Sequence, residues 1–354
     1  MNPLVTVMIP TYNQAPYLPD AIQSALNQDY SNLEIVVVDD CSTDETSEIV
    51  KKFLSDGRLR YYRNASNLGK TANYRHALYD IARGDWVLNL DGDDYLTDDH
   101  YLSFAMKEIS RHDQVVLFTA GVKHQGDCFS KEQRLVRRQL LMDGEELFFN
   151  WHTYKIPHLT SLYQRQTACR IGFYDVDISS ADWESLLRLV WHGNVILSDR
   201  IAGVWRKHDE NLSRAMDYSQ FAANFALITR PSEYAAGRGR NKGLLEEWEK
   251  TMINAIMKGQ FNEVWRGVLR KHSWPEMLRF ISAVRNDHPE FLGTCFQPKN
   301  TIHFFLFLSA TALNTVRRGL ERTAAYVKKS LQGFLRRCMP GRKERRMPGS
   351  AKVK

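Results

Sequence analysis

The first third of the chain alternates two hydrophobic periods. Leu4-Val5-Thr6-Val7-Met8-Ile9 is a β-rich run halted by Pro10, and Leu18, Ile22, Ala25 and Leu26 then recur at helical spacing. Ile35-Val36-Val37-Val38 is apolar at every position, the pattern of a parallel strand covered on both faces. Ser42 and Glu45 form a capping-box pair ahead of Ile49, Val50, Phe53 and Leu54, which predicts a second helix. Leu59 to Arg63 reads as a third strand, and Tyr74, Ala77, Leu78 and Ile81 as a third helix closed by Gly84. Trp86 to Leu90 reads as a fourth strand. Strand and helix in turn, with short connections, predict a parallel α/β sheet. Ligands of such sheets bind beyond the carboxyl ends of the strands, so chemistry is expected in the polar residues that follow each one.

From about residue 115 the pattern loosens. A strand is expected over Val115 to Thr119, and helical spacing returns from Asp182 to Trp191 through Trp183, Leu186, Leu187 and Val190. Beyond about residue 216 the chain is helix-like, with breaks expected at Pro231, around Gly237 to Gly239 and at Pro275. No repeat of solenoid period and no low-complexity linker is present.

Three strand ends carry polar groups: Pro10-Thr11-Tyr12-Asn13, Asp39-Asp40-Cys41-Ser42-Thr43-Asp44 and Asp91-Gly92-Asp93-Asp94. Crowded carboxylates raise one another's pKa unless a cation neutralises them. A hard divalent ion takes one or two carboxylates together with substrate phosphates. An isolated Asp pair is most often a turn or a helix cap. Two acidic clusters at the ends of neighbouring buried strands point instead to a nucleotide and a metal. Two look-alikes fail on spacing. Gly69-Lys70-Thr71 lacks the earlier Gly of a phosphate-binding loop, with Asn64 in its place. Tyr95 and Leu96 stand where a calcium-binding loop needs a ligand and a Gly. No Gly-x-Gly-x-x-Gly follows the first strand, against a nicotinamide or flavin enzyme.

These motifs, with Asn67-Leu68-Gly69-Lys70 and Asn73, Gly172-Phe173-Tyr174-Asp175, Ala181-Asp182-Trp183-Glu184, and Trp205-Arg206-Lys207-His208 with Asn211 and Ser213, stand in one order along residues 4 to 215. In that order and spacing the chain resembles the family 2 glycosyltransferases. The resemblance implies an α/β fold of GT-A type, a Rossmann-like nucleotide-binding sheet with a C-terminal helical extension. It implies that Pro10, Thr11 and Tyr12 line the nucleotide pocket and that Asp40 accepts the imide N–H of uracil or thymine. Asp39 holds the loop or the ribose, and Lys70 and Asn73 assist at the nucleotide. Asp91-Gly92-Asp93 is then the metal motif for Mn²⁺ or Mg²⁺. Asp93 is the direct ligand, Asp91 reaches the ribose or a metal-bound water, and His208 completes the shell or contacts phosphate. Asp182 is the general base of an inverting transfer, with Glu184 the first alternative. Family members often have Glu-Asp where this chain has Ala181-Asp182, a departure that removes a supporting carboxylate. Trp151, His152, His158 and Trp183 are aromatic groups of the acceptor side or of the core. Neither membrane spans nor the Gln-x-x-Arg-Trp motif of processive members is present, which favours single additions. Two rivals are a sugar nucleotidylyltransferase, whose Gly-rich loop is replaced here by Thr11-Tyr12-Asn13-Gln14, and a retired transferase fold serving as a glycan-binding or scaffold subunit.

Composition changes this picture little. With 354 residues, 43% hydrophobic and 25% charged, the chain is ordinary globular material for about two domains. Its five cysteines include no Cys-x-x-Cys, against a zinc ribbon, a redox pair or a disulfide framework. Charge changes it more. From Arg317 onward 13 Lys and Arg face only Glu321 and Glu344, a net +11, so the remainder of the +7 chain carries −4. Leu313, Val316, Leu320, Ala324, Val327, Leu331 and Phe334 form an apolar stripe flanked by Arg317, Arg318, Arg322, Lys328, Lys329, Arg336 and Arg337. A basic amphipathic helix of this kind lies in a membrane interface. The first cation is Lys51 and the opening apolar run ends at Pro10, so no secretory signal is expected. The expected organisation is a catalytic domain over 1–215, a helical extension over 216–300 and a partly disordered basic tail over 301–354. The expected place is the cytoplasm, peripheral on the inner face of the cell membrane. The expected partners are a UDP-sugar, a glycan or lipid-linked acceptor and an anionic membrane, not nucleic acid.

Overall fold

The computed structural model describes residues 2–126, 129–208, 216–271, 273–295 and residue 300. Asn211, Ser213 and the expected amphipathic tail lie outside the described residues. Among those described, two compact units divide between Val264 and Trp265.

The first unit is built on one mixed sheet. Its strands are β1 (Val5–Thr11), β2 (Leu33–Asp39), β3 (Leu59–Arg63), β4 (Trp86–Asn89), β5 (Tyr95–Leu96), β6 (Val115–Gly126), β7 (Phe129–Gln133), β8 (Leu140–Asp143), β9 (Leu162–Gln164) and β10 (Asn194–Arg206). The order is β3-β2-β1-β4-β9-β6-β10-β5, with β7 on β6 and β8 on β10. The β3-β2-β1-β4 half is parallel, as the alternation predicts. Beyond β4 the sheet is not purely parallel: β9 runs antiparallel to both β4 and β6. That departure follows from connectivity, since β9 is reached without the regular strand-helix repeat. Ile35 to Val38 are fully buried, the consequence of helices on both faces.

Helices α1 (Leu18–Leu26), α2 (Thr46–Lys51), α3 (Lys70–His76) and α4 (Tyr101–Ile109) flank this half. Two local expectations change. The capping box before α2 does not form. Ser42 instead accepts the Asn13 N–H, while Asp44 accepts Thr46 N–H and O–H. The helix stops at Lys51, and Leu54 is exposed. Gly84 does not close α3 either. The helix continues through a π-turn over Ala77–Ile81, and Gly84 serves close approach: a Cβ there would lie 2.6 Å from Thr6 N.

Further on, α5 (Gly144–Phe149), α6 (Trp151–Tyr154), α7 (Arg165–Arg170), α8 (Ala181–Leu189), α9 (Tyr218–Ala223), α10 (Ala226–Gly237) and α11 (Lys242–Met252) complete the first unit. Pro231, expected as a break, lies buried inside α10, which packs on α8. Packing there outweighs the lost backbone bond. Pro275 likewise opens a helix (Trp274–Asp287) in its first turn, where its missing N–H costs nothing. In the second unit that helix buries Met277, Phe280 and Val284, and Trp265 stacks on Phe280 at 5.4 Å. No helix among the described residues is long and apolar enough to cross a membrane.

Candidate active site

Register brings the strand ends together. Thr11 pairs with Asp39 across β1 and β2, and Met8 pairs with Asn89 across β1 and β4. The turn after β4 therefore folds beside the end of β1, where Gly92 N–H donates to Pro10 O at 3.3 Å. A Cβ on Gly92 would lie 2.6 Å from Gln14 Oε1 and 2.8 Å from Thr11 Oγ1. Gly92→Ala should cost about 1 kcal/mol or more of stability through overpacking, and lower UDP affinity by displacing Asp91 and Asp93. Urea unfolding and calorimetry check both; wild-type values for each would mean that the turn has room to spare.

The loops after β1 and β2 are laced together by side chains. Pro10 and Thr11 are buried, and Tyr12 presents a ring that is 46% exposed. Asn13, in left-handed backbone, accepts the Thr43 N–H at 2.8 Å, tying the loop after β1 to that after β2. Asp39 is buried and accepts from Ser42 N–H (2.8 Å) and Tyr61 O–H (2.7 Å). Asp40, 2% exposed, accepts from Asn64 Nδ2, Leu68 N–H and Gly69 N–H at 2.8 to 2.9 Å. A carboxylate has about four acceptor positions, and this loop occupies three of those on Asp40. Asn73 is also buried, donating to Val38 O and accepting from Asn64. Lys70 is exposed at the start of α3, its Nζ 5.4 Å from the Tyr74 ring centre.

Asp91, Asp93 and Asp94 place carboxylate oxygens within 4.8 Å of one another. Burial first, then the Asp91 charge, raises Asp93 above the ordinary carboxylate range. Burial, then Asp93 and Asp91, raises buried Asp94 well above it. His208, distant in sequence, brings Nε2 to 3.0 Å from Asp93 Oδ2 and stacks on Tyr17 at 4.4 Å. Arg206 donates its backbone N–H to Asp94 and lies over the Tyr17 and Tyr95 rings. Hard oxygen donors under mutual repulsion fit a divalent cation of the Mg²⁺ or Mn²⁺ type.

Asp182 approaches from the other side. It is the second residue of α8, not the N-cap, which is Ser180. Lys70, Thr71, Tyr74, Ile178 and Asp182 line one small cleft. Tyr74 links this cleft to the acidic cluster: its hydroxyl donates to Asp91 at 2.5 Å, and burial with the charges of Asp91, Asp93 and Asp182 holds the phenol far above its ordinary range. Glu184, the alternative base, points elsewhere. It is fully buried and bound by Arg188 (2.7 Å) and Arg230 (3.0 Å). Trp151 is fully buried and belongs to the core, whereas Trp183 is half-buried and donates to Ile156 O at 2.8 Å.

Sequence reasoning assigned no role to Asp94, Tyr74 or Arg206. Asp94 had a signal, as the third acid of its cluster; Tyr74 had none, since its helical spacing reads as core.

Comparison with known proteins bears on the family and the fold. The family model described as glycosyl transferase family 2 matches residues 6–169. An uncharacterized glycosyltransferase of Haemophilus influenzae is 27% identical over 57% of this chain and 91% of its own. The putative colanic acid biosynthesis glycosyl transferase WcaA of Escherichia coli is 33% identical over 38% of this chain and 48% of its own. Among solved structures, residues 1–349 of S. aureus TarS in complex with UDP-GlcNAc share the fold with a TM-score of 0.60. The identity there is 20%, over 79% of each chain.

Proposed function

Since the chain belongs, through residues 6–169, to glycosyl transferase family 2, we propose that it moves a hexosyl or N-acetylhexosaminyl group from a UDP- or dTDP-sugar to a hydroxyl of a glycan or lipid-linked acceptor, with inversion. The observation that carries this reading is the convergence of the Asp91 cluster and Asp182 on Tyr74. The acidic cluster meets the Tyr74 hydroxyl through Asp91, and a separate carboxylate, Asp182, lines a small cleft with the same tyrosine. The surface-polysaccharide setting is supported by the relative WcaA, whose name places it in colanic acid synthesis. The UDP donor is supported by the TarS complex.

Pro10, Thr11 and the face of Tyr12 would hold the base, with Asp40 accepting its imide N–H and Asp39 keeping the loop in place. Lys70 would help hold the nucleotide or its phosphates, and Asn73 would assist nearby. Asp93, with Asp91 and His208, would hold Mn²⁺ or Mg²⁺, which supplies Lewis-acid neutralisation of the departing diphosphate. Asp182 takes the acceptor hydroxyl proton as its oxygen bonds to the anomeric carbon on the face opposite the breaking carbon–phosphate-oxygen bond. The nucleoside diphosphate leaves with that bond's electron pair.

The test is incubation with Mn²⁺ and a panel of UDP- and dTDP-sugars, scoring binding and slow hydrolysis. One donor should release its nucleoside diphosphate in a metal-dependent way. Binding without turnover, with or without added glycan acceptors, would favour a scaffold, and pyrophosphate release from a nucleoside triphosphate a nucleotidylyltransferase.

The membrane reading stands on residues 301–354 of the sequence alone. Each basic residue near an anionic surface contributes about 1 kcal/mol, enough in number for reversible docking. The chain should pellet with vesicles rich in anionic lipid and release at high salt, whereas a chain ending at Lys299 should remain in the supernatant. Equal partitioning of the two would remove membrane docking and leave the catalytic reading intact.

A further inference from the structure

We infer that His158 is a positioning residue for Asp182, itself fixed by Tyr174; this rests on the reading of Asp182 as the base. His158 lies between α6 and β9, Tyr174 follows α7, and Asp182 opens α8, so three separate segments meet. The His158 side chain is 11% exposed and that of Asp182 is 23% exposed. The Nε2 atom of His158 lies 2.7 Å from the Tyr174 hydroxyl, and Nδ1 lies 3.9 Å from Asp182 Oδ2.

Tyr174 is a costly residue to place here. Its backbone is left-handed (φ 59°), its ring is 1% exposed, and its N–H is held by Ser185 Oγ of α8 at 2.9 Å. A bulky side chain in that backbone region costs about 1–3 kcal/mol and persists where its surroundings fix it, commonly at functional sites. Burial, with the nearby Tyr163, Tyr74 and Asp182, keeps its phenol protonated. When that O–H donates to Nε2, the neutral imidazole carries its proton on Nδ1; in the imidazolium both nitrogens carry one. In both of these states an N–H faces Asp182. At 3.9 Å the approach is longer than a hydrogen bond, as active-site distances commonly are before substrate tightens them. An N–H on Oδ2 turns the carboxylate plane and leaves the other oxygen for the acceptor proton. The same ring stands 6.1 Å from Tyr74, the residue bound to Asp91, so the base is indexed to the donor side.

The experiment measures turnover of the full chain as UDP release, with Mn²⁺, from the sugar nucleotide that the panel selects, water serving as acceptor. His158→Phe should lower kcat about tenfold, the low end of what loss of an orienting partner costs. KM, UDP affinity and thermal midpoint should stay near wild type. His158→Asn, which keeps an N–H near the Nδ1 position, should recover most of the loss. With Asp182→Asn already present, His158→Phe should have no further effect, because the group it orients is gone. Tyr174→Phe keeps the ring, loses the hydroxyl, and should lower kcat in the same sense; it serves if His158→Phe folds poorly. Normal turnover in both His158→Phe and Tyr174→Phe overturns the inference. So does a tenfold loss that persists undiminished beside Asp182→Asn. If Asp182→Asn alone turns over normally, the base assignment fails first, a result separate from either.

Discussion

Asp182→Asn should lower turnover about 10²-fold or more while leaving UDP affinity unchanged, the scale expected for a lost general base. The amide keeps the volume and polar character of the side chain but cannot take a proton from the acceptor. Position argues that the loss stays local. Asp182 is the second residue of α8 and only partly exposed, and it makes none of the capping bonds of that helix. The cost to folding is then confined to a negative charge removed from the first turn, about 0.3–1 kcal/mol. Glu184 cannot substitute. Its carboxylate is fully buried between Arg188 and Arg230, where an ion pair has already claimed it and no acceptor can reach. Stopped assays of UDP release, with calorimetry for affinity, decide. Turnover within a few-fold of wild type would move the base away from α8 altogether.

The parallel half of the fold was legible because its strands are buried on both faces. Ile35 to Val38 leave no polar position, and a run of that kind has few other places to go. The π-turn at Ala77–Ile81 and the proline inside α10 were not legible. Both are decided by what packs against them, and a pattern of single residues carries no record of its partners. The capping box failed for a related reason. Ser42 and Glu45 had the right spacing, but Asn13 lies near enough in space to take Ser42 for the loop after β1. Local signals lose when a long-range partner satisfies the same atom.

At the site, the acids were legible from their clustering and the links between them were not. The Asp-rich turns following buried strands mark where a ligand of such a sheet is expected. Tyr74 was read as one apolar position in a helix, and that reading accounts for its ring. Its hydroxyl, which meets Asp91 while the phenol lies near Asp182, has no counterpart in the periodicity. The same holds for Asp40. The family resemblance implied a base-reading carboxylate there, yet it already accepts three hydrogen bonds from the loop of Asn64, Leu68 and Gly69. A residue type at a strand end fixes the chemistry available, and only the fold decides how much of it is already spent.

Asp93→Ala should weaken Mn²⁺-dependent UDP binding by at least about 100-fold, since even the partners of a metal ligand are worth 10- to 100-fold. Asp91, Asp93 and Asp94 crowd their oxygens within 4.8 Å, and burial with the Asp91 charge raises Asp93 above the ordinary carboxylate range. A raised folded pKa means that ionised Asp93 opposes folding once the pH exceeds the value it has when unfolded. Removing it should therefore leave the stability of the metal-free protein at neutral pH no lower than wild type, even though the contact with His208 goes with it. Binding and stability should separate. A residue kept for structure would behave in the opposite way, with its loss lowering the unfolding midpoint and sparing UDP affinity. Calorimetric titration of UDP with and without Mn²⁺, beside thermal unfolding without metal, reads both quantities. Wild-type affinity with Mn²⁺ present would remove Asp93 from the metal site, and a lowered midpoint with intact affinity would make it a structural acid held by His208.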